Sequence, residues 1–192
     1  MKKAFLEIEL KYSAKDIALT DFAEFCKTLG PTKCFQASGT DHFYSSDKDD
    51  TQFGRYRVGP DFVQLTVKTK TSNKNNFIRQ EDNLDFKEAI PEERVRSFFN
   101  KFGYEYQTSI FKNCFIYKYP LYTLVYYVIY TVDMNEIGRY LEIEMSESHP
   151  WESEQQAWDA LVVLEKTCKP LGIIPQSRVK KSLYEIVCGK LI

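Results

Sequence analysis

From Phe5 to Tyr12 the chain alternates apolar and charged residues: Leu6, Ile8 and Leu10 share one face of an extended segment, and Glu7, Glu9 and Lys11 share the other. Successive side chains of an extended backbone point to opposite sides, so this is the pattern of a strand with one buried face. The same split recurs along the chain. Arg55 and Arg57 oppose Tyr56 and Val58, Lys68 and Lys70 oppose Val67, Arg79 and Glu81 share a face, and Glu142 and Glu144 oppose Leu141, Ile143 and Met145. Lys112 and Asp133 add one charge each from the sixth and seventh strands. An ordinary sheet turns such a face to water, and for any one strand that would suffice. Like charges two apart on strand after strand are harder to accommodate, because directly opposed like charges destabilise a sheet. The pairs Glu7/Glu9 and Glu142/Glu144 put carboxylates roughly 6–7 Å apart along a strand, and Arg55/Arg57 repel unless an anion lies between them. A bound ligand resolves both conflicts.

The polar set comprises six acids (Glu7, Glu9, Glu81, Asp133, Glu142, Glu144) and seven bases (Lys11, Arg55, Arg57, Lys68, Lys70, Arg79, Lys112), and is nearly neutral. Desolvating each ion costs several kcal/mol even after relaxation, so an interior built from them must be wet and internally paired. Carboxylates suit hard cations such as Mg²⁺ or Mn²⁺, while arginine forks and lysine ammoniums suit phosphate oxygens. Together they describe a site for divalent metal and a polyphosphate.

Eight strand candidates carry or accompany these faces: Phe5–Tyr12, Cys34–Ser46, Phe53–Val58, Phe62–Lys70, Phe77–Phe86, Glu105–Tyr119, Tyr122–Asp133 and Tyr140–Ser146. Turn-rich stretches of hairpin length separate several of them, such as Gly59-Pro60-Asp61. Helices are predicted from Ser13 to Leu29, from Pro91 to Phe102, at about Glu152–Cys168 and at about Ser177–Val187. Many strands with few helices predict an α+β, mainly β fold: a closed eight-stranded antiparallel β-barrel with helices packed outside. The 192 residues suit a single domain, 1–192, and the 14 Phe and 13 Tyr supply bulky core groups.

A net charge of −1 gives no global basic field for duplex nucleic acid or acidic membranes. The most apolar run, Leu121 to Val132, is too short to span a bilayer. Five scattered cysteines without a C-x-x-C pair suit a reducing cytoplasm. His42 and His149 lie in different elements and form no zinc pattern. The tyrosines around Tyr126 read as packing, and Trp151 and Trp158 as anchors of the late helix.

In their order, these motifs resemble the CYTH domains, or triphosphate tunnel metalloenzymes. The marker is Glu7-Ile8-Glu9-Leu10-Lys11, followed by Arg55-Tyr56-Arg57, the Lys68 strand, Arg79-Gln80-Glu81, Lys112, Asp133 and Gly138-Arg139-Tyr140-Leu141-Glu142-Ile143-Glu144. The resemblance covers nearly the whole chain. It implies an eight-stranded tunnel that uses Mg²⁺ or Mn²⁺ to process a small-molecule triphosphate or nucleotide, as a monomer or homodimer. It further implies that Glu7, Glu9, Asp133, Glu142 and Glu144 serve the metal and that Lys11, Arg55, Arg57, Lys68, Arg79 and Lys112 hold phosphate. Glu7, Glu9, Lys11 and Glu144 become the catalytic set, with Glu81 and Lys70 supporting. Hydrolysis of the terminal phosphate is the leading expectation. A class IV adenylate cyclase and a non-catalytic polyphosphate or nucleotide-binding module are the alternatives.

Two departures stand out. Where such proteins read Lys-x-Arg on the sixth strand, this chain has Lys112-Asn113-Cys114, with Lys118 as a substitute on the same face. Where they carry adjacent Ser-Tyr near the end, this chain has Ser182-Leu183-Tyr184.

Overall fold

The computed structural model describes residues 5–70, 77–146 and 149–189. The order of elements is β1 (Phe5–Ser13), α1 (Leu19–Thr28), β2 (Lys33–Ser46), β3 (Asp49–Gly59), β4 (Phe62–Lys70), β5 (Ile78–Phe86), α2 (Glu92–Lys101), β6 (Glu105–Lys118), β7 (Tyr122–Tyr130), β8 (Glu136–Met145), α3 (Glu154–Thr167) and α4 (Leu183–Cys188). The strands close into a barrel in the order β1-β5-β4-β3-β2-β6-β7-β8, every neighbouring pair antiparallel. This is the eight-stranded α+β barrel expected from the alternation.

β1 closes the barrel with two successive halves. Residues Phe5 to Ile8 pair with β5, and Glu9 to Ser13 pair with β8. Beyond the start of β5, the segment leading to α4 continues the wall: Val179 N–H donates to the Lys11 carbonyl at 2.7 Å, and Arg178 bridges to Tyr12. Two sequence expectations change here. The first helix begins at Leu19 rather than Ser13, because the Ser13 backbone is paired with Tyr140. The last helix shrinks to α4, because residues 178 and 179 are spent on β1 and Ser182 caps the helix only afterwards, its Oγ accepting from Glu185 N–H at 3.1 Å.

The apolar faces of the strands point outward, under helices. Ile8, Leu10 and Tyr12 of β1, Leu124, Tyr126 and Val128 of β7, and Leu141, Ile143 and Met145 of β8 are buried together with Phe22 of α1 and Ala157, Leu161 and Leu164 of α3. Trp158 joins this layer and stacks on Phe77, as an anchor should. The buried Glu165 of α3 is held by Arg178 through both oxygens and accepts from the Tyr12 hydroxyl, tying α3, β1 and the C-terminal segment at one point.

On the opposite flank α2 places Val95 and Phe99 on Tyr44 and Tyr56. The Phe99 ring stacks on Tyr44 at 4.3 Å. Gly54 lies beneath it, and a Cβ there would stand 2.3 Å from Phe99 Cε1. The ring is itself confined by Tyr44, so it has no easy retreat. Gly54→Ala is therefore expected to lower unfolding stability by about 1–3 kcal/mol through overpacking, read from urea denaturation; an unchanged midpoint would show that α2 yields.

Candidate functional site

With apolar side chains outside, the charged faces meet inside. They line a cavity of about 680 Å³ that extends from Leu183 and Tyr184 of α4 to Thr32, Lys118 and Pro120 at the surface. Glu7, Glu9, Lys11, Arg55, Arg57, Lys68, Arg79, Glu81, Lys112, Glu142 and Glu144 all line it, so the structure gathers residues up to 137 positions apart in sequence. α4 stops one end. Tyr184 stacks on Phe53 at 4.8 Å, meets Phe43 edge-on, and donates from its hydroxyl to Ser45 Oγ at 2.7 Å.

Strand register explains why oppositely charged residues neutralise one another. Glu7 stands opposite Arg79, Lys68 opposite Glu81, and Lys11 opposite Glu142. Lys68 is the hub: its Nζ lies 2.6 and 2.7 Å from the two oxygens of Glu7 and 2.8 Å from Glu81. Lys11 Nζ lies 3.2 Å from Glu142 and 3.6 Å from Glu9. Lys112 Nζ sits 3.6 Å above the Tyr127 ring and 3.9 Å from Glu142, which also accepts from the Tyr127 hydroxyl at 2.7 Å.

The acids differ in how well they are neutralised. Glu144 faces Glu9 directly across the β1–β8 ladder. Burial, then Glu7, Glu9 and Glu142, push its carboxyl well above the usual range. Burial likewise pushes Glu7 up to about 7, with Lys68 pulling the other way and Glu9 and Glu81 adding to the rise. Burial opposes ionisation of Glu142 too, but Lys112, Lys11 and the Tyr127 hydroxyl hold it down to about 2. The carboxyls at this end are thus unevenly neutralised: Lys68 and Lys11 contact Glu7, Glu9 and Glu142, while Glu144 faces Glu9.

The basic side has the complementary deficit. Arg55 is buried, and its Nη2 lies 3.1 Å from Thr66 Oγ1, 3.3 Å from Gln64 Oε1 and 3.6 Å from Glu81. Among the described residues its Nε has no hydrogen-bond partner. A buried guanidinium N–H left in that state costs on the order of 1–3 kcal/mol, which an anion's oxygen would recover.

One residue departs from the sequence reading. Asp133 is not in the cavity: β7 ends at Tyr130, and Asp133 is exposed in the turn before β8, where the chain reverses around Met134 at φ 61°. Lys70 pairs through its backbone with Arg79, but its side chain lies outside the described residues. Lys118 lines the same cavity as Cys114, at its mouth and level with Thr123 of β7.

Asp41 is a buried partner of a cavity residue that strand parity alone did not single out. It is fully buried on β2 opposite Arg57, accepting from Nε at 2.6 Å and Nη2 at 2.7 Å. A lone acid in Thr40-Asp41-His42 gives no paired-charge signal; only the β2–β3 register shows that it clamps Arg57. Tyr127 was likewise assigned to packing with its neighbours, yet its hydroxyl orients Glu142.

No family profile and no curated protein matches this sequence. Solved structures do. The chain is similar to the PH1012 protein from Pyrococcus horikoshii at 22% identity and a TM-score of 0.69, over 94% of this chain and 98% of that one. It is also similar to a Vibrio parahaemolyticus protein proposed to be an adenylate cyclase, at 14% identity and a TM-score of 0.69, over 96% and 99% of the two chains. A Bacillus halodurans protein with the same proposed activity matches at 16% identity and a TM-score of 0.56, over 93% and 95%. In overall fold, then, this closed eight-stranded barrel is similar to these structures over nearly its whole length.

The Asp41–Arg57 clamp sets a pH dependence. Burial works against the charged carboxyl, but Arg57, with Arg55 and Lys112 beyond it, holds Asp41 well below its usual 3.8. A carboxylate depressed by folding contributes stability above its unfolded value and loses it as pH falls toward the folded one. Asp41→Asn should cost about 3–5 kcal/mol at neutral pH, because Arg57 loses its buried partner. That difference from wild type should shrink steadily below about pH 4 in urea titrations. A difference independent of pH would exclude the ion pair as its source.

Proposed function

We propose that this protein is a divalent-metal-dependent triphosphatase that removes the terminal phosphate of a triphosphate bound in the tunnel. The observation that carries this reading is the pairing of two unmet needs in one cavity: a carboxylate cluster at Glu7, Glu9, Glu142 and Glu144, and buried cationic donors including the unsatisfied Arg55 Nε.

Among the described residues no three His, Cys, Asp or Glu side chains stand as a ready-made metal group. The ion pairs explain this, since Lys68 holds Glu7 and Lys11 reaches both Glu9 and Glu142. The donors are nevertheless the all-oxygen set that Mg²⁺ or Mn²⁺ takes, and the Glu9–Glu144 repulsion favours a cation between them. A divalent cation there would supply Lewis-acid charge for the phosphate chain and the attacking water. Asp133 is not part of this proposed set.

The chain's own residues do the rest. Arg55, Arg57, Lys68, Arg79 and Lys112, with Lys11, hold phosphate oxygens and stabilise charge developing on the transferred phosphoryl group. Glu81 and Asp41 position Lys68 and Arg57 through the contacts above. Water oxygen bonds to the terminal phosphorus and gives up a proton to a cavity carboxylate, the anhydride P–O bond breaks, and the shortened phosphate chain leaves with the bond's electrons against the same cations. The packed plug at Tyr184 limits water at one end. We place this reaction in the cytoplasm, in keeping with the cysteine pattern; among the described residues no helix is long and apolar enough to cross a membrane.

The Vibrio and Bacillus halodurans structural neighbours are proposed adenylate cyclases, so the same lining must be tried with attack by a ribose hydroxyl on the α-phosphorus. Purified protein should release orthophosphate from at least one of inorganic tripolyphosphate, thiamine triphosphate and ATP with Mg²⁺ or Mn²⁺, and release should stop on chelation. Arg55→Ala should lower kcat by about 10²-fold or more, and the Glu9→Ala, Glu144→Ala double variant should fall to background. Cyclic AMP and pyrophosphate from ATP would replace the hydrolase by a cyclase. Metal-dependent binding with only unchanged ligand recovered would make the protein a binding module.

A further inference from the structure

The charged residues do not encircle the cavity evenly. β1, β3, β4, β5 and β8 supply most of them, whereas on the β2–β6–β7 side the lining between Lys112 and Lys118 of β6 is apolar. Register makes the stretch explicit: Phe35 on β2 stands opposite Ile116 on β6, Ile116 opposite Val125 on β7, Val125 opposite Glu142 on β8, and Glu142 opposite Lys11 on β1. One level deeper, Ala37 stands opposite Cys114, and Cys114 opposite Tyr127. Phe35, Ile116, Val125 and Cys114 all line the cavity. An apolar wall therefore runs from the mouth to the acid cluster on a single rung of the barrel.

A bare polyphosphate gives such a wall nothing to do. Every non-bridging atom of inorganic triphosphate is an oxygen that seeks cations or water, and apolar side chains beside it only withhold donors. Cys114 sharpens the point. Where the family resemblance implies a phosphate-binding arginine, this chain has a small thiol, half-buried near Lys112 and Arg57 and pushed toward its neutral form chiefly by burial. A thiol there adds no cation to the middle of the wall, and only the small Ala37 stands across the ladder from it.

Building on the triphosphatase reading, we infer that the substrate is an organic triphosphate whose apolar or aromatic head lies on the Phe35–Ile116–Val125 wall. Its phosphate chain turns away toward Arg55, Lys68 and Arg79. The two flanking ammonium groups, Lys33 at 5.0 Å and Lys118 at 5.8 Å from the Phe35 ring centre, frame the place where the head enters. Nucleoside and thiamine triphosphates share this chemistry, a flat organic ring joined to three phosphates, and inorganic triphosphate lacks it.

The test compares ATP, thiamine triphosphate and inorganic tripolyphosphate by equilibrium binding and by KM with Mg²⁺, in wild type, Phe35→Ala and Ile116→Asn. At least one organic triphosphate should bind about tenfold or more tighter than tripolyphosphate. Each wall variant should erode that preference by a similar factor while leaving tripolyphosphate within about twofold. Should Ile116→Asn fail to fold, Phe35→Ala, at the half-buried mouth, gives the same readout. Tripolyphosphate binding as tightly as the organic ligands, or wall variants weakening all three alike, would overturn the assignment while leaving the triphosphate site intact. Failure of all three to bind would remove the triphosphate reading itself.

Discussion

The structure depends on ion pairing inside a closed barrel, and above all on Lys68 held between Glu7 and Glu81. A closed barrel has no free sheet edge but must fill or hydrate its interior. This chain fills it with charge, which is tolerable only where each ion has partners close by. β1, β4 and β5 meet at Lys68, so the contact that neutralises the interior also fastens the seam where the barrel closes. The Glu165–Arg178–Tyr12 knot performs the corresponding task outside, fixing the segment that completes the wall along β1.

Such an interior is balanced overall but frustrated locally. Glu144 faces Glu9 and its carboxyl is driven up, while Glu142 beside it is held down by two lysines and a tyrosine. Adjacent carboxylates with opposite tendencies are what a site prepared for added positive charge would show, and Arg55 presents the converse need for negative charge. Each deficit costs stability that better-paired residues at the same positions would restore.

Much of this was legible in the sequence because strand periodicity is a local property. Glu7, Glu9 and Lys11 had to share a face, as had Arg55 and Arg57, and Glu142 and Glu144. The expectation for Asp133 failed because periodicity does not say where a strand stops; β7 ends three residues earlier, and the following turn swings the side chain to solvent. Asp41 and Tyr127 were missed for the complementary reason. Each acts through a partner on another strand, and nothing local to Thr40-Asp41-His42 or Tyr126-Tyr127 names that partner.

The sequence by itself thus determined which side chains share a face, the approximate order of strands and helices, and the near-neutral sum of the charged set, since all three follow from backbone geometry and composition. Only the tertiary structure decided which charges meet, which end of the cavity α4 stops, and that one wall is apolar from Phe35 to Val125. Those features depend on strand register and barrel closure, which arise from contacts between residues far apart in the chain.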